Sequence, residues 1–266
     1  KKKAAYRGKV TNINIKKKRG IFMENATMNE VELQQFNEYK RKLNLQAAEA
    51  QVSKIEYNLL DATVSKASLK KACQEANALK LGAVCVLPNA VRLCAHLLGS
   101  NPQTSLIACI SYPHGGDLTK IKVKAVKEAI KDGVDEVEVT APVACVKEGD
   151  WGYVKREFKD LKKATKKSRL RINIECNLLT PSELTKLCTV AADCGITSIR
   201  TSSEFYGTVK TDIIASIKNA VKDKCTIKAD GVSTLGDFEN ALTMGAGIVG
   251  SKNATDLARL VLKAAE

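Results

Sequence analysis

Residues 133–140 read GVDEVEVT, and the order of residue types in this stretch recurs along most of the chain. A glycine, the residue that best accommodates a left-handed helix cap, ends a helical pattern and stands just before a short apolar run, Glu136–Thr140. Gly82, Gly195 and Gly245 occupy the same position elsewhere. The chain therefore repeats one unit, a helix that ends at glycine and leads into a buried strand.

Eight strands of this kind are predicted. They are Ile55–Leu60, Ala83–Leu87, Leu106–Ser111, Glu136–Thr140, Arg171–Cys176, Ser198–Ser202, Thr226–Ala229 and Ile248–Gly250. The segments between them are long enough for helices, and TPSE at residues 180–183 is typical of a capped helix start. Eight strand–helix repeats with short connections predict an α/β fold, a (β/α)8 TIM barrel. No G-x-G-x-x-G follows the first strand, which disfavours dinucleotide binding.

The 266 residues, 44% of them hydrophobic, suffice for one barrel core. Ahead of it, residues 28–54 are polar and free of Gly and Pro, and we expect an amphipathic helix that packs on the barrel. Its apolar residues are Val31, Leu33, Phe36, Tyr39, Leu43 and Leu45. The predicted organisation is a basic tail over residues 1–27, for which disorder is one option, this helix, and the barrel over 55–266.

The net charge of +14 is unevenly distributed along the chain. Residues 1–20 hold nine bases and no acid, whereas the remaining 246 residues hold 34 bases and 29 acids, a net +5. Most of the basic excess therefore belongs to the tail.

The composition also excludes several classes of protein. No apolar run approaches the roughly 18 residues of a membrane span, and no signal-peptide core is visible. The nine cysteines include no C-x-x-C pair and are accompanied by two histidines, so no metal site is expected. We expect reduced thiols in a cytoplasmic protein.

Four predicted strands carry a charged residue among apolar ones. These residues are Glu138, Glu175, Arg200 and Lys228. Because side chains alternate along a strand, the charged ones can point into the barrel, where burial requires that they be paired. They form either an internal salt-bridge network without chemistry or, the preferred interpretation, an active site at the C-terminal face.

Seven motifs, collinear over roughly residues 58–262, resemble those of the deoxyribose-phosphate aldolase family. They are LDAT at 60–63 for D-x-T, AVCVLP at 83–88 for A-V-C-V-x-P, YPHG at 112–115 for F-P-x-G, GVDEVE at 133–138 for G-A-D-E-[IV]-D, IEC at 174–176 for [LI]-E-T, SIRTSS at 198–203 for F-[IV]-K-T-S-T and IKA at 227–229 for V-K-A. The resemblance implies a class I lyase that cleaves 2-deoxyribose 5-phosphate to acetaldehyde and glyceraldehyde 3-phosphate through a lysine Schiff base, without a cofactor.

Two departures from the family pattern fall on its catalytic positions. Arg200 stands where the family has its Schiff-base lysine. Guanidinium stays charged and offers no amine lone pair, so the family's intermediate cannot form there. Glu138 replaces the family's proton-carrying aspartate and shifts the carboxylate by about 1 Å.

The resemblance also implies a substrate site and, within it, a phosphate site that is altered here. The expected substrate-binding residues are Asp61, Cys85, Glu175, Thr201, Ser202, Gly231, Ser251 and Lys252. Glu204 replaces a glycine of the phosphate loops, and Asp230 intrudes into another loop, so two acids would repel a phosphate. Lys252 either binds phosphate or forms a salt bridge with Glu204 or Asp230.

Two functions are compatible with these residues. The main hypothesis is a repurposed barrel, a pseudoenzyme that lacks the Schiff-base reaction and acts as a binding or scaffolding protein, with a degraded pocket for a phosphorylated sugar. The alternative is an active aldolase in which Lys228 forms the imine, Arg200 is the neighbouring cation and Glu138 shuttles protons.

A binding role would favour an anionic partner, because bases are concentrated in the tail and in one predicted helix. The helical bases are Lys155, Arg156, Lys159, Lys162, Lys163, Lys166, Lys167 and Arg169. We favour an acidic protein, for example a cytoskeletal filament protein such as actin, over nucleic acid, because few aromatic residues accompany these bases. The alternative is a solubilising tail and an ordinary solvated helix face. The resemblance also suggests a homodimer.

Overall fold

The structure is a computed structural model that describes residues 30–99, 103–166, 168–207, 209 and 212–265. The chain divides into two compact units, Lys1–Leu43 and Asn44–Glu266. Helix α1, Glu30–Val52, begins in the first unit, and Ala48 and Val52 near its end are buried in the core of the second. The predicted basic tail lies outside the described residues, and the docking predicted for the first turns of α1 stays a prediction.

Eight parallel strands form a closed barrel in which each strand pairs with the next and the last pairs with the first. The strands are β1 Ile55–Leu59, β2 Ala83–Val86, β3 Ser105–Ile110, β4 Glu136–Thr140, β5 Arg169–Asn173, β6 Ser198–Arg200, β7 Thr226–Ala229 and β8 Ile248–Ser251. The predicted (β/α)8 barrel is confirmed.

Helices alternate with the strands on the outside of the barrel. They are α2 Lys66–Leu79, α3 Val91–Leu98, α4 Thr119–Lys131, α5 Val143–Lys147, α6 Trp151–Thr165, α7 Pro181–Asp193, α8 Asp212–Val221, α9 Leu235–Thr243 and α10 Ala254–Lys263, with 3-10 turns at Pro88–Ala90 and Cys176–Leu178. The predicted start of α7 is confirmed, since Thr180 and Glu183 form a reciprocal capping box. No helix in the described part of the chain is long and apolar enough to span a bilayer.

The end of β5 differs from the prediction. The strand stops at Asn173, whereas the pattern predicts that it continues to Cys176. Glu175 has a φ of 46°, in the left-handed region, and the backbone turns there into the 3-10 turn. Glu175 therefore lies beyond the strand, at the C-terminal rim of the barrel, rather than within it. β6 likewise ends at Arg200, two residues earlier than predicted.

The core has two parts. Between the strands and the helices lies a continuous apolar layer to which every strand contributes, as Val84, Val137 and Ile172 illustrate. Inside the barrel, a small apolar cluster contains Leu60, Ala83, Cys85, Ile107 and Cys109. Charged side chains from the other strands share this interior.

Candidate active site

The barrel interior brings together charged residues from four strands. Glu138 on β4 is in register with Arg171 on β5, and Arg200 on β6 with Lys228 on β7. All four side chains are fully buried. The period of two along each strand turns them inward while their apolar neighbours face the helices.

Arg200 is held by groups on three sides. Its Nη1 forms an ion pair with Glu138 Oε1, and its Nε lies 2.7 Å from Asp230 Oδ2 and donates to the Ser202 carbonyl at 2.7 Å. Its guanidinium carbon lies 5.6 Å from the centroid of the Tyr112 ring. The Nε and Nη1 groups of Arg200 are therefore both held by buried partners.

Lys228 is surrounded by oxygen atoms. Its Nζ donates to Asn58 Oδ1 at 3.0 Å. Carboxylate oxygens of Glu56 and Glu138 lie 2.9 and 3.4 Å from Nζ, and one of Asp230 lies at 4.0 Å. The ammonium group thus has three carboxylates within ion-pair range.

Glu56 and Arg171 belong to this network, although the sequence analysis did not select them. Arg171 binds Glu56 through two parallel hydrogen bonds of 2.6 and 2.8 Å, and its Nη1 also donates to Glu138 Oε2 at 3.2 Å. Both residues stand between apolar neighbours, the same signal that identified Glu138. Asn58, two residues after Glu56 on β1, joins them through Lys228 and Asp230.

The electrostatics of the network favour charged Lys228 and Glu138. Burial alone would lower the pKa of Lys228, but the carboxylates of Asp230, Glu138 and Glu56 raise it well above its ordinary value. Burial would raise the pKa of Glu138, but Arg200, Lys228 and Arg171 hold it far below its ordinary range. The ammonium and this carboxylate therefore stay ionised at neutral pH.

The pKa of Asp230 is shifted in the opposite direction from that of Glu138. Burial raises its pKa despite the nearby Arg200 and Lys228. For Glu56, Arg171 and Lys228 outweigh burial and lower the pKa to about 2. A proton that enters the network is therefore held more readily by Asp230 than by Glu56.

Gly250 on β8 makes the close packing of this network possible. A Cβ atom at this position would lie 2.2 Å from Asp230 Oδ1, 2.6 Å from Lys228 Cε and 2.8 Å from Asn58 Nδ2. Any side chain there would displace all three groups. The backbone of β8 thus forms one wall of the interior.

The predicted phosphate loops contain an ion pair. Lys252 Nζ lies 3.8 Å from Glu204 Oε2, which is one of the two arrangements expected for Lys252. Burial and the proximity of Asp230 raise the pKa of Glu204. Gly231 has a φ of 80°, and its Cα faces the Glu204 side chain, so a carboxylate occupies this mouth of the barrel.

Three further predicted substrate-binding residues, Thr201, Ser202 and Ser251, lie at the C-terminal ends of β6 and β8. Thr201 and Ser202 are buried beside Arg200, and Thr201 Oγ1 accepts from the Asp230 amide at 3.1 Å. Ser251 is buried and its Oγ accepts from the Asn253 amide. All of these hydroxyls bond backbone amides of the loops that follow β6, β7 and β8.

Asp61 and Glu175 lie apart from the charged network. Asp61 is exposed, and its carboxylate accepts two hydrogen bonds from Thr63, which lower its pKa. Glu175 Oε1 accepts from Asn173 Nδ2 at 2.6 Å and from the Ser203 amide at 3.0 Å, and burial raises its pKa. The acid that β1 contributes to the interior is therefore Glu56, and Asp61 serves a local turn.

Cys85, also predicted to bind substrate, lies inside the barrel with a second thiol. Potential ligand atoms of Cys85, Cys109 and Glu138 lie within 4.8 Å of one another. Cys109 donates to Glu138 at 3.0 Å. The Glu138 carboxylate already forms ion pairs with Arg171, Arg200 and Lys228. The surrounding positive charge disfavours a metal ion at these three residues.

Comparison with known proteins places this site in a family. The family model described as "DeoC/LacD family aldolase" matches residues 48–264. The chain belongs to this family. Among curated relatives, the deoxyribose-phosphate aldolase of Finegoldia magna is 33% identical over 66% of this chain and 83% of its own length. That of Clostridium botulinum is 30% identical over 77% of this chain and 97% of its own length.

Solved structures of aldolases share the fold. The aldolase QR15 superposes with a TM-score of 0.76 at 23% identity, over 80% of this chain and 96% of its own. The deoxyribose phosphate aldolase of Aeropyrum pernix, described as a unique tetramer, gives 0.74 at 19% identity, over 83% of this chain and 94% of its own. At position 200, where the motif resemblance predicts a lysine, this chain has an arginine.

Proposed function

We propose that this member of the aldolase family does not carry out the family's imine-dependent reaction, and that it acts through binding rather than through aldol cleavage. The observation that supports this most directly is the environment of Lys228. It is in register with Arg200 on the adjacent strand, and three carboxylates lie within 4.0 Å of its Nζ.

Imine formation requires a neutral amine that attacks a carbonyl carbon, after which water leaves. Desolvation and a neighbouring cation are the usual means of lowering a lysine pKa, and Arg200 supplies such a cation. Here the surrounding carboxylates overcome both effects and raise the pKa of Lys228. The neutral amine is therefore scarce at physiological pH.

The second candidate function is an active aldolase that acts on deoxyribose 5-phosphate with Lys228 as the imine-forming residue. The comparisons favour this candidate over the first, because the curated relatives are deoxyribose-phosphate aldolases. The position of Glu138, 3.4 Å from Lys228 Nζ, is suitable for a proton shuttle in such a reaction.

One experiment separates the two candidates. The full-length protein is incubated with deoxyribose 5-phosphate or acetaldehyde, reduced with borohydride, and analysed by intact mass and peptide mapping. Exposed lysines of the same sample give the background, and Lys228→Met serves as the control variant. No modification of Lys228 above that background, together with no release of aldehyde, is expected. An adduct on Lys228 with turnover would overturn the first proposal and establish the second.

Three further properties accompany this proposal. The Glu204–Lys252 pair supports a mouth that binds sugar phosphates poorly. The homodimer and the cytoplasmic location stay predictions, which light scattering and cell fractionation would test.

A further inference from the structure

Helices α4 and α6 carry a concentration of positive charge on the outside of the barrel. Ten bases of these helices and their C-terminal caps are solvent-accessible, namely Lys120, Lys124, Lys127, Lys131, Lys155, Arg156, Lys159, Lys162, Lys163 and Lys166. The accessible acids of the same elements are Glu128, Asp132 and Asp160. We call this set the α4–α6 face; ten bases and three acids give it a net charge of +7.

The rest of the barrel does not share this charge. Residues 21–266 contain 34 bases and 29 acids. Without the α4–α6 face, 24 bases and 26 acids remain, a net charge of −2. Beyond the first 20 residues, the positive excess of the chain thus belongs to the α4–α6 face, which would not arise if lysines were spread evenly for solubility.

The bases of this face have few carboxylate partners. Within the described residues, Lys131 is the one member with a carboxylate inside 4.0 Å, at 3.8 Å from Glu128. The acid Asp132 is instead held by Arg92 at 2.7 Å. Some bases on other surfaces are paired more closely, as in Lys147–Glu183 at 2.8 Å and Arg259–Glu75 at 3.0 Å. The face therefore holds positive charge that a polyanion can neutralise with release of counterions.

A buried ion pair holds the two helices together. Lys122 Nζ on α4 lies 2.7 Å from Glu157 Oε1 on α6, and both side chains are fully buried. Thr119 donates to the same carboxylate at 2.7 Å, and Lys122 also donates to the Thr140 carbonyl at the end of β4. The bases are consequently presented on a rigid surface, which lowers the entropic cost of binding.

The chemistry of the face selects among polyanions. Nine of its ten bases are lysines, which are depleted in protein–protein interfaces but suit phosphate contacts that carry no sequence information. Its exposed apolar residues, Leu118 and Ile121, lie together at the start of α4 and leave the centre without an apolar anchor. The 15 residues of α6 span about 22 Å, the length of about six phosphates along one strand of a duplex.

We propose that the α4–α6 face binds the phosphate backbone of double-stranded nucleic acid without reading its sequence. This revises the preference for an acidic protein partner. The face lies outside the barrel interior, so this proposal and the one on the barrel chemistry can fail independently.

The test compares two full-length variants of equal net charge, both of which keep the N-terminal tail. The face variant carries Lys124→Gln, Lys127→Gln, Lys159→Gln and Lys163→Gln. The control variant carries Lys66→Gln, Lys70→Gln, Lys71→Gln and Lys263→Gln, which are exposed lysines on other surfaces. Binding to a fluorescent 20-bp DNA duplex of arbitrary sequence is followed by anisotropy at several salt concentrations, and thermal melting verifies that both variants fold.

We expect the face variant to bind at least about tenfold more weakly than the control variant, with a slope of log K against log salt reduced by about 3 to 4, since each lost phosphate contact removes about 0.9. Equal affinities of the two variants for the duplex would overturn the proposal. It would also be overturned if the face variant lost binding to phosphatidylserine vesicles or to polyglutamate while its duplex binding was unchanged.

Discussion

At the level of single residues, the guanidinium of Arg200 connects groups that a lysine would leave apart. Its Nη1 pairs with Glu138, and its Nε lies against both Asp230 and the Ser202 carbonyl. An ammonium group is a compact point charge and cannot span all three. The arginine thus binds together the loops after β6 and β7.

Arg200→Lys tests whether the missing amine alone prevents imine chemistry. A lysine at position 200 would be desolvated beside the cation of Lys228, and both effects lower its pKa. As a compact ammonium it would also lose part of the contact with Asp230 and Glu138, the carboxylates that raise the pKa of Arg200. We expect acetaldehyde and borohydride to give an adduct at position 200, located by peptide mapping. Arg200→Met, which also disrupts the network but supplies no amine, is the control. If Arg200→Lys stays unmodified, the closed network rather than the lost amine blocks the chemistry.

Glu56→Gln tests the energetic weight of the network. The substitution leaves Arg171 and Lys228 without their shared carboxylate, and loss of one partner of a buried ion pair costs about 3–5 kcal/mol. We expect a loss of this size in the free energy of unfolding at pH 7, measured by urea denaturation. Glu56→Asp, which keeps the charge, should lose less.

The same variant has an expected pH dependence. The pKa of Glu56 is about 2 in the folded protein against an ordinary value of 4.5. Its stabilising contribution is therefore complete above pH 4.5 and is lost as the pH falls towards 2. The difference in unfolding free energy between wild type and Glu56→Gln should therefore be smaller at pH 3 than at pH 6. Urea denaturation at each pH measures this difference. A constant difference over this range would contradict the assignment.

At the level of secondary-structure elements, α4 and α6 depend on one buried ion pair. Lys122→Met leaves the Glu157 carboxylate buried without its cation, which should destabilise the protein by about 3–5 kcal/mol. The double variant Lys122→Met with Glu157→Met removes both charges and should recover most of that loss. Chemical denaturation of the single and double variants gives the coupling energy. Additive losses would mean that the two side chains do not act as a pair.

The ends of the strands show which structural features can be predicted from the local sequence. The ends of β4 and β7 agree with the sequence pattern, because a glycine or a charged turn bounds each apolar run. β5 ends earlier than predicted because the backbone of Glu175 is in the left-handed region, which a glutamate rarely adopts and which the sequence therefore does not predict. In this conformation the Glu175 carboxylate accepts from the Ser203 amide in the loop after β6, a contact that spacing along the chain does not predict.

At the level of the whole molecule, the distribution of charge matters more than its total. The face variant and the control variant defined above have the same net charge. On a cation-exchange column, we expect the face variant to elute at the lower salt concentration, because concentrated positive charge increases retention and the tail is the same in both variants. Elution of both at one salt concentration would show that the α4–α6 face is not a distinct patch.

The repeat of helix, glycine and apolar run determined the barrel, because each unit is specified by local backbone preference and by which face is apolar. The same alternation identified Glu138, Arg200 and Lys228 as inward-facing. Which charges meet was decided only by the tertiary structure. Closure of the barrel brings β1 beside β8 and places Glu56 against Lys228, 172 positions later in the chain. Spacing along one strand carries no information about that neighbour, so the pairing that raises the pKa of Lys228 emerges only once the barrel is closed.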